Sequence, residues 1–181
     1  MMNLDKIKEN VTKCTSCDLC KTRTNAVPGK GSHTAKVIFI GEAPGRTEDS
    51  RGEPFVGSAG KKLTDALTKN GIARDSVYIT NVVKCRPPNN RVPTQAERDS
   101  CRQFLDLEIQ AIKPEIVCIL GNTACTSILG YGEITKNHGK VIEKNGVRYF
   151  PTFHPAAIIY NQKLSKTFES DIAELAKIIS S

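Results

Sequence analysis

The chain lacks the features that would carry it to or through a membrane. No window approaches the roughly eighteen consecutive apolar residues of a helical span. The first twenty residues contain Lys6, Lys8, Glu9, Lys13 and Asp18 and no apolar run of the secretory type. A cytoplasmic protein is expected. The Rossmann spacing G-x-G-x-x-G is missing, as is G-x-x-x-x-G-K-S/T, so neither dinucleotide nor triphosphate binding is supported. Repeats, low-complexity tracts and linkers are absent too, and a single domain over residues 1–181 is expected. A chain of this size should bury roughly 65–70% of its unfolded surface. Histidine is scarce, with only His33, His138 and His154.

Lys and Arg number 26 against 19 Asp and Glu, a net charge of +7 that favours a polyanion or anionic surface as partner. There are seven cysteines. In a reducing compartment metal or cluster ligation explains them better than disulfides do. Cys14 and Cys17 have the C-x2-C spacing that presents two thiolates to one metal, and Cys85 and Cys101 could complete a set of four. Spacing leaves tetrahedral zinc and an iron–sulfur cluster both open. Cys20 extends the first loop to C-x2-C-x2-C and is a candidate third local ligand. Cys118 and Cys125 read as small buried apolar residues.

Hydrophobic periodicity predicts alternating strands and helices. A helix over 3–12 places Leu4, Ile7 and Val11 on one face, and 21–35 reads as loop. Runs at 36–40, 77–81 and 116–120 have the apolar character of buried strands, the first ended by Gly41. Ser58 is expected to cap a helix to about Asn70, and Thr94 with Glu97 forms a capping-box spacing before a longer helix that Pro114 breaks. A short helix over 122–129, a hairpin around Asn145-Gly146 and a terminal helix over 165–179 complete the pattern. This predicts a three-layer α/β/α sandwich around a mostly parallel sheet, with ligands beyond the carboxyl ends of the strands.

The polar loops fall at those ends. In Gly41-Glu42-Ala43-Pro44-Gly45, the glycines and proline suit backbone held close to a substrate. Glu53 and Asp65 read as surface groups. Glu42 and Glu48 are candidates to orient water or stabilise positive charge on a sugar. Phe55 is an aromatic in a polar loop, suited either to a satellite core contact or to stacking on a planar base. Asn81 ends a strand, where its amide either caps the turn or pairs one donor and one acceptor with the edge of uracil. His154 precedes Pro155 after the last strand and outranks the other two histidines. Arg86, Arg91, Arg98 and Arg102, with Lys61, Lys62 and the helix start at 58–60, are candidate phosphate contacts.

Taken together, GEAPG at 41–45, ED at 48–49, GEPFVGSAG at 52–60, ITNVVKCRPPNNRVP at 79–93 and HPAA at 154–157 resemble the family 4 uracil-DNA glycosylases. The resemblance spans nearly the whole chain. It implies a four-stranded parallel sheet in an α/β/α fold and a [4Fe–4S] cluster on Cys14, Cys17, Cys85 and Cys101, favouring iron–sulfur over zinc. It also implies that Phe55 stacks on extruded uracil and Asn81 reads its edge, with Gly41 beside them. His154 would approach uracil O2, and Glu42-Ala43 would hold the catalytic water, with Glu48 assisting. The family 1 enzymes have an aspartate where this chain has Ala43, so an aspartate-base mechanism does not carry over. Residues 89–94 contain no histidine, so the covalent attachment to DNA made by one relative is not expected.

The expectation is a monomeric, monofunctional DNA-repair hydrolase that releases uracil from single- or double-stranded DNA and leaves an abasic site. It would be nucleoid-associated through DNA, with downstream base-excision-repair proteins as further partners. A non-enzymatic metal-bearing DNA-binding module and a nucleotide-processing α/β enzyme are the competing classes. The first leaves Phe55, Asn81 and His154 without a shared task, and the second lacks a phosphate loop.

Overall fold

The structure is a computed structural model that describes residues 3–181. Helices α1 (Leu4–Lys13) and α2 (Leu19–Thr22) precede strands β1 (Lys30–Gly31) and β2 (Val37–Gly41), followed by α3 (Arg46–Arg51), α4 (Ser58–Lys69) and β3 (Tyr78–Asn81). Then come α5 (Gln95–Ile112), β4 (Ile116–Leu120), α6 (Asn122–Leu129), α7 (Ile134–Asn137), β5 (Ile142–Lys144), β6 (Val147–Thr152) and α8 (Gln162–Ser180). Among the described residues six strands form one sheet in the order β1-β3-β2-β4-β6-β5. The inner four are parallel, and β1 and β5 add antiparallel edges.

The parallel four-stranded centre matches the expectation, while the sheet is wider by two strands. The hairpin at 142–152 was expected; β1 was not. It is two residues long and lies in a Gly- and Lys-rich stretch, so it carries no alternation. Its pairing rests on close approach, because a Cβ on Gly31 would lie 2.0 Å from the Val77 carbonyl oxygen. Pro151 is tolerated within β6 because its carbonyl accepts from Gly139 on the side away from β4, where the missing N–H is not needed.

Strand residues alternate between two cores. Ile38, Ile40, Val117 and Ile119 pack with Leu4, Ile7 and Val11 of α1 and with Phe104 and Leu105 of α5. Val37, Phe39, Ile116, Cys118, Leu120 and Phe150 pack with Leu63 and Leu67 of α4 and with Phe168, Ile172 and Leu175 of α8. Each fully buried large apolar side chain contributes roughly 1.5–3 kcal/mol. Cys118 and Cys125 are buried core residues, as expected.

Three local expectations need correction. Gly57, not Ser58, caps α4, and it does so without a side-chain hydrogen bond. Residues 46–51, for which the sequence pattern predicts no helix, form α3, whose first turn holds Glu48 and Asp49 near its N-terminal N–H groups. Helix α8 begins at Gln162, capped by the Asn161 side chain, rather than at 165. The Thr94–Glu97 capping box is present, and Asn70-Gly71 stops α4 with Gly71 at φ 72°. Among the described residues no helix is long and apolar enough to cross a membrane.

Candidate active site

Gly41 pairs with Asn81 across the β2–β3 ladder, so the loops after these strands start side by side. The loop after β6 joins them through Gly121, whose N–H donates to the Thr152 carbonyl at 2.9 Å. Gly121 sits at φ 91°, and a Cβ there would lie 3.0 Å from the His154 Cβ. These strand ends frame a cavity of about 400 Å³ lined by Glu42, Ala43, Glu48, Phe55, Asn81 and His154, with Pro44, Gly45 and Arg91 also on its wall. Its volume is within the range of small-ligand sites.

Phe55 and His154 present their rings to each other at 5.6 Å between centroids and a tilt of 33°. Phe55 occupies the left-handed region at φ 51°, which costs a side-chain-bearing residue energy and calls for restraint from its neighbours. Arg74 holds the Pro54 carbonyl at 2.9 Å, while Glu48 Oε1 accepts from Val56 N–H at 3.1 Å and Gly57 N–H at 2.9 Å. Gly60 leaves the room this requires, since a Cβ there would lie 1.9 Å from the Phe55 carbonyl oxygen. Gly41 lies behind the pocket, where a Cβ would meet Phe55 Cζ at 2.5 Å and Asn81 Oδ1 at 2.6 Å.

Asn81 is 2% exposed, yet among the described residues its buried Oδ1 has no hydrogen-bond partner. An unpaired buried acceptor costs about 1–3 kcal/mol, so this one marks a place for an incoming donor. His154 Nδ1 accepts from the Ala156 N–H at 3.0 Å, which places the proton of the neutral ring on Nε2. Burial pushes the imidazole pKa down to about 4, against a smaller opposing effect of the Glu48 carboxylate. The ring is therefore a neutral donor at physiological pH.

A second cavity is lined by Cys14, Cys17, Cys20, Cys85 and Cys101. Arg23 Nη1 donates to Cys85 Sγ at 3.0 Å, Lys84 N–H to Cys101 Sγ at 3.3 Å and Ser16 N–H to Cys14 Sγ at 3.5 Å. Donors aimed at sulfur are what cluster-bound thiolates require. Five thiols lining one cavity, with N–H donors aimed at three of them, are a donor set of the kind that holds a thiolate-bound metal group.

A model of the uracil DNA glycosylase superfamily matches residues 28–176. The chain is 44% identical to the type-4 uracil-DNA glycosylase of Archaeoglobus fulgidus, with 98% of this chain and 94% of that protein covered. Identity to the type-4 enzyme of Sulfurisphaera tokodaii is 45%, covering 98% of this chain and 86% of the relative. For the type-4 enzyme of Thermotoga maritima it is 44%, covering 88% and 84%. The chain belongs to the uracil-DNA glycosylase superfamily.

In this superfamily member, every pocket residue singled out in the sequence falls on or directly behind one cavity, and the four expected cysteines, with Cys20, fall on another. The supposed basic cluster is less uniform. Arg91 reaches the pocket wall and makes a two-pronged ion pair with Glu97 at 2.7 and 2.9 Å. Arg102 pairs with Asp106 and the Ser127 carbonyl, Arg86 with Asn90, and Arg98 with Gln95. Glu53 pairs with Lys30, and Asp65 is exposed, as surface groups should be. His138, ranked below His154, has a partner of its own: its Nδ1 lies 2.9 Å from Asp171 Oδ2, and it packs on Phe153. Sequence reasoning missed the buried Lys84–Glu108 pair and the role of Asp49, which accepts from Thr24 N–H at 2.9 Å and Asn25 N–H at 3.2 Å. No local spacing joins those partners.

Proposed function

We propose that this protein is a monofunctional DNA-repair hydrolase that removes uracil from single- or double-stranded DNA by cleaving the N-glycosidic bond. One observation carries the reading: the buried, unpaired Oδ1 of Asn81 shares a cavity with Phe55 and His154. Uracil offers a donor at N3 and acceptors at O4 and O2. Asn81 Oδ1 accepts from N3–H while Nδ2 donates to O4, and Phe55 covers the ring of the flipped base. Cytosine reverses donor and acceptor at the first two positions and fails against an amide held in this orientation.

As the bond between N1 and C1′ breaks, its electron pair leaves with the uracil and positive charge develops on the sugar. His154 donates from Nε2 to O2 and stabilises the uracilate without giving up its proton, as its depressed pKa requires. Glu48 Oε1 is committed to Val56 and Gly57, leaving Oε2 beside Gly45 to orient a water or face the sugar cation, with Glu42 and the Ala43 backbone on the same wall. Water adds its oxygen to C1′ and loses a proton, and uracilate takes one from solvent. Free uracil and an abasic site result. Arg91, held by Glu97 at the cavity wall, and the first-turn N–H groups at 58–60 are placed for flanking phosphates. The +7 charge favours the encounter.

Cys14, Cys17, Cys85 and Cys101 would hold a [4Fe–4S] cluster, with Cys20 beside them. When bound, the cluster would cross-link the 14–20 and 85–101 segments and need not exchange electrons. The protein acts as a monomer bound to DNA, and its abasic product passes to later base-excision-repair proteins. Incubation with single-site U, T, C, hypoxanthine and 8-oxoguanine DNA, scored separately for free base and strand breaks, tests the reading. Uracil release without strand breakage is expected. DNA binding without base release would leave only a binding module.

A further inference from the structure

Lys84 and Glu108 are 1% and 0% exposed and meet at 2.7 Å, far from solvent and outside both cavities. A buried ion pair is poor evidence for stability, because well-packed apolar replacements are often as stable or more so. This pair is fully satisfied. Glu108 also accepts from Gly29 N–H at 3.0 Å, Tyr78 Oη at 3.2 Å and Thr80 Oγ1 at 2.9 Å. Lys84 Nζ additionally contacts Thr80 Oγ1 and donates to the Asn81 main-chain carbonyl at 2.8 Å. Such a network fixes one arrangement of the groups around it.

What it fixes is the segment between the two cavities. Lys84 N–H donates to Cys101 Sγ, and Cys85 follows immediately. The Lys84 carbonyl accepts from Val27 N–H at 2.7 Å, tying in the chain that leaves the N-terminal cysteines. At the other end, Val82 N–H donates to the Gly41 carbonyl at 2.9 Å and Val83 N–H to the Glu42 carbonyl at 3.2 Å. A continuous hydrogen-bonded segment therefore connects the cysteines to Asn81 and Glu42, two walls of the pocket.

Resting on the uracil and cluster readings above, we infer that Lys84 is a positioning residue that couples the cysteine cavity to the base pocket, so that cluster retention and uracil recognition strengthen each other. If the cluster favours the uracil-binding geometry, bound uracil in turn disfavours the displaced geometry through which the cluster is lost, and iron loss slows.

The test measures how fast a chelator strips iron from the purified holoprotein in the presence of saturating single-stranded DNA. One oligonucleotide carries a single 2′-fluorodeoxyuridine, whose fluorine suppresses sugar-cation formation and blocks cleavage. The other carries 2′-fluorodeoxycytidine at the same site, which cancels the contribution of phosphate contacts. In the wild type the uracil strand slows iron loss by about fivefold or more relative to the cytosine strand, the lower end of typical coupling between sites. The double variant Lys84→Met/Glu108→Gln removes both charges and leaves neither unpaired. It should keep its iron, bring that ratio to about one and narrow the affinity gap between the two strands. A variant with the wild-type ratio overturns the inference. So does a wild type that releases uracil from cleavable DNA yet loses iron equally fast with both strands, and in that case the glycosylase reading survives. A wild type that releases no uracil removes that reading, and this inference with it. Where this double variant does not fold, Lys84→Gln/Glu108→Gln is read in its place: a ratio of about one is expected, and the wild-type ratio overturns the inference.

Discussion

Gly41→Ala adds one carbon at the point where the base-stacking and base-reading side chains converge. Gly41 does not have a left-handed backbone, so alanine adds no conformational strain and the effect is purely steric. The new Cβ would lie 2.5 Å from Phe55 Cζ and 2.6 Å from Asn81 Oδ1, whereas carbon contacts settle at about 3.5–4.0 Å. Something must move by about 1 Å. Phe55 yields poorly, being held through Arg74 on one side and Glu48 on the other. Asn81 is anchored through its carbonyl by Lys84. A misplacement of this size costs about 100-fold in rate, or about 2.7 kcal/mol in the barrier. Overpacking costs about 1–3 kcal/mol in stability. Single-turnover uracil release and a urea melt measure the two separately. Wild-type release by a stably folded Gly41→Ala would show that Phe55 and Asn81 do not jointly enclose the base.

Three further outcomes follow from the same geometry. His154→Ala should lower single-turnover cleavage by about 100-fold or more while changing affinity for uracil-containing DNA much less, because its donor acts mainly on the uracilate. Equal loss of binding and cleavage would remove that role. Asn81→Asp should weaken uracil release and admit cytosine, since a carboxylate accepts from cytosine N4–H; product analysis on matched U and C oligonucleotides checks it. The folded pKa of His154, about 4 against an ordinary 6.5, means the unfolded chain binds the extra proton between those values. Stability from this group is full above pH 6.5 and falls as pH drops towards 4, by up to about 3 kcal/mol, less to the extent that water reaches the ring edge. Urea midpoints of wild type and His154→Asn across pH 7 to 4.5 should differ in slope, and parallel curves would contradict the assignment.

Inner strands β2, β3 and β4 were legible because each is a short apolar run with helices on both faces, β4 falling at 116–120 as read, and β6 was legible as the second arm of the Asn145-Gly146 hairpin. The pocket was legible because its residues follow strand ends and therefore share one edge of the sheet. β1 was hidden because a two-residue pairing has no period, and α3 because it is a polar single turn and a half whose buried residues are Glu48 and Asp49. Position 108 reads as polar within a helix, and only the fold reveals that it sits at 0% exposure beneath β3. Hydrophobic pattern locates apolar faces. It cannot tell a solvated carboxylate from one buried against its partners.

The most direct test of the central claim is a crystal structure of this protein with DNA carrying one 2′-fluorodeoxyuridine. The uracil should lie out of the helix and against Phe55, its N3–H on Asn81 Oδ1 and its O2 within about 3 Å of His154 Nε2. A uracil still stacked in the DNA, or bound with Asn81 Oδ1 unpaired, would contradict it.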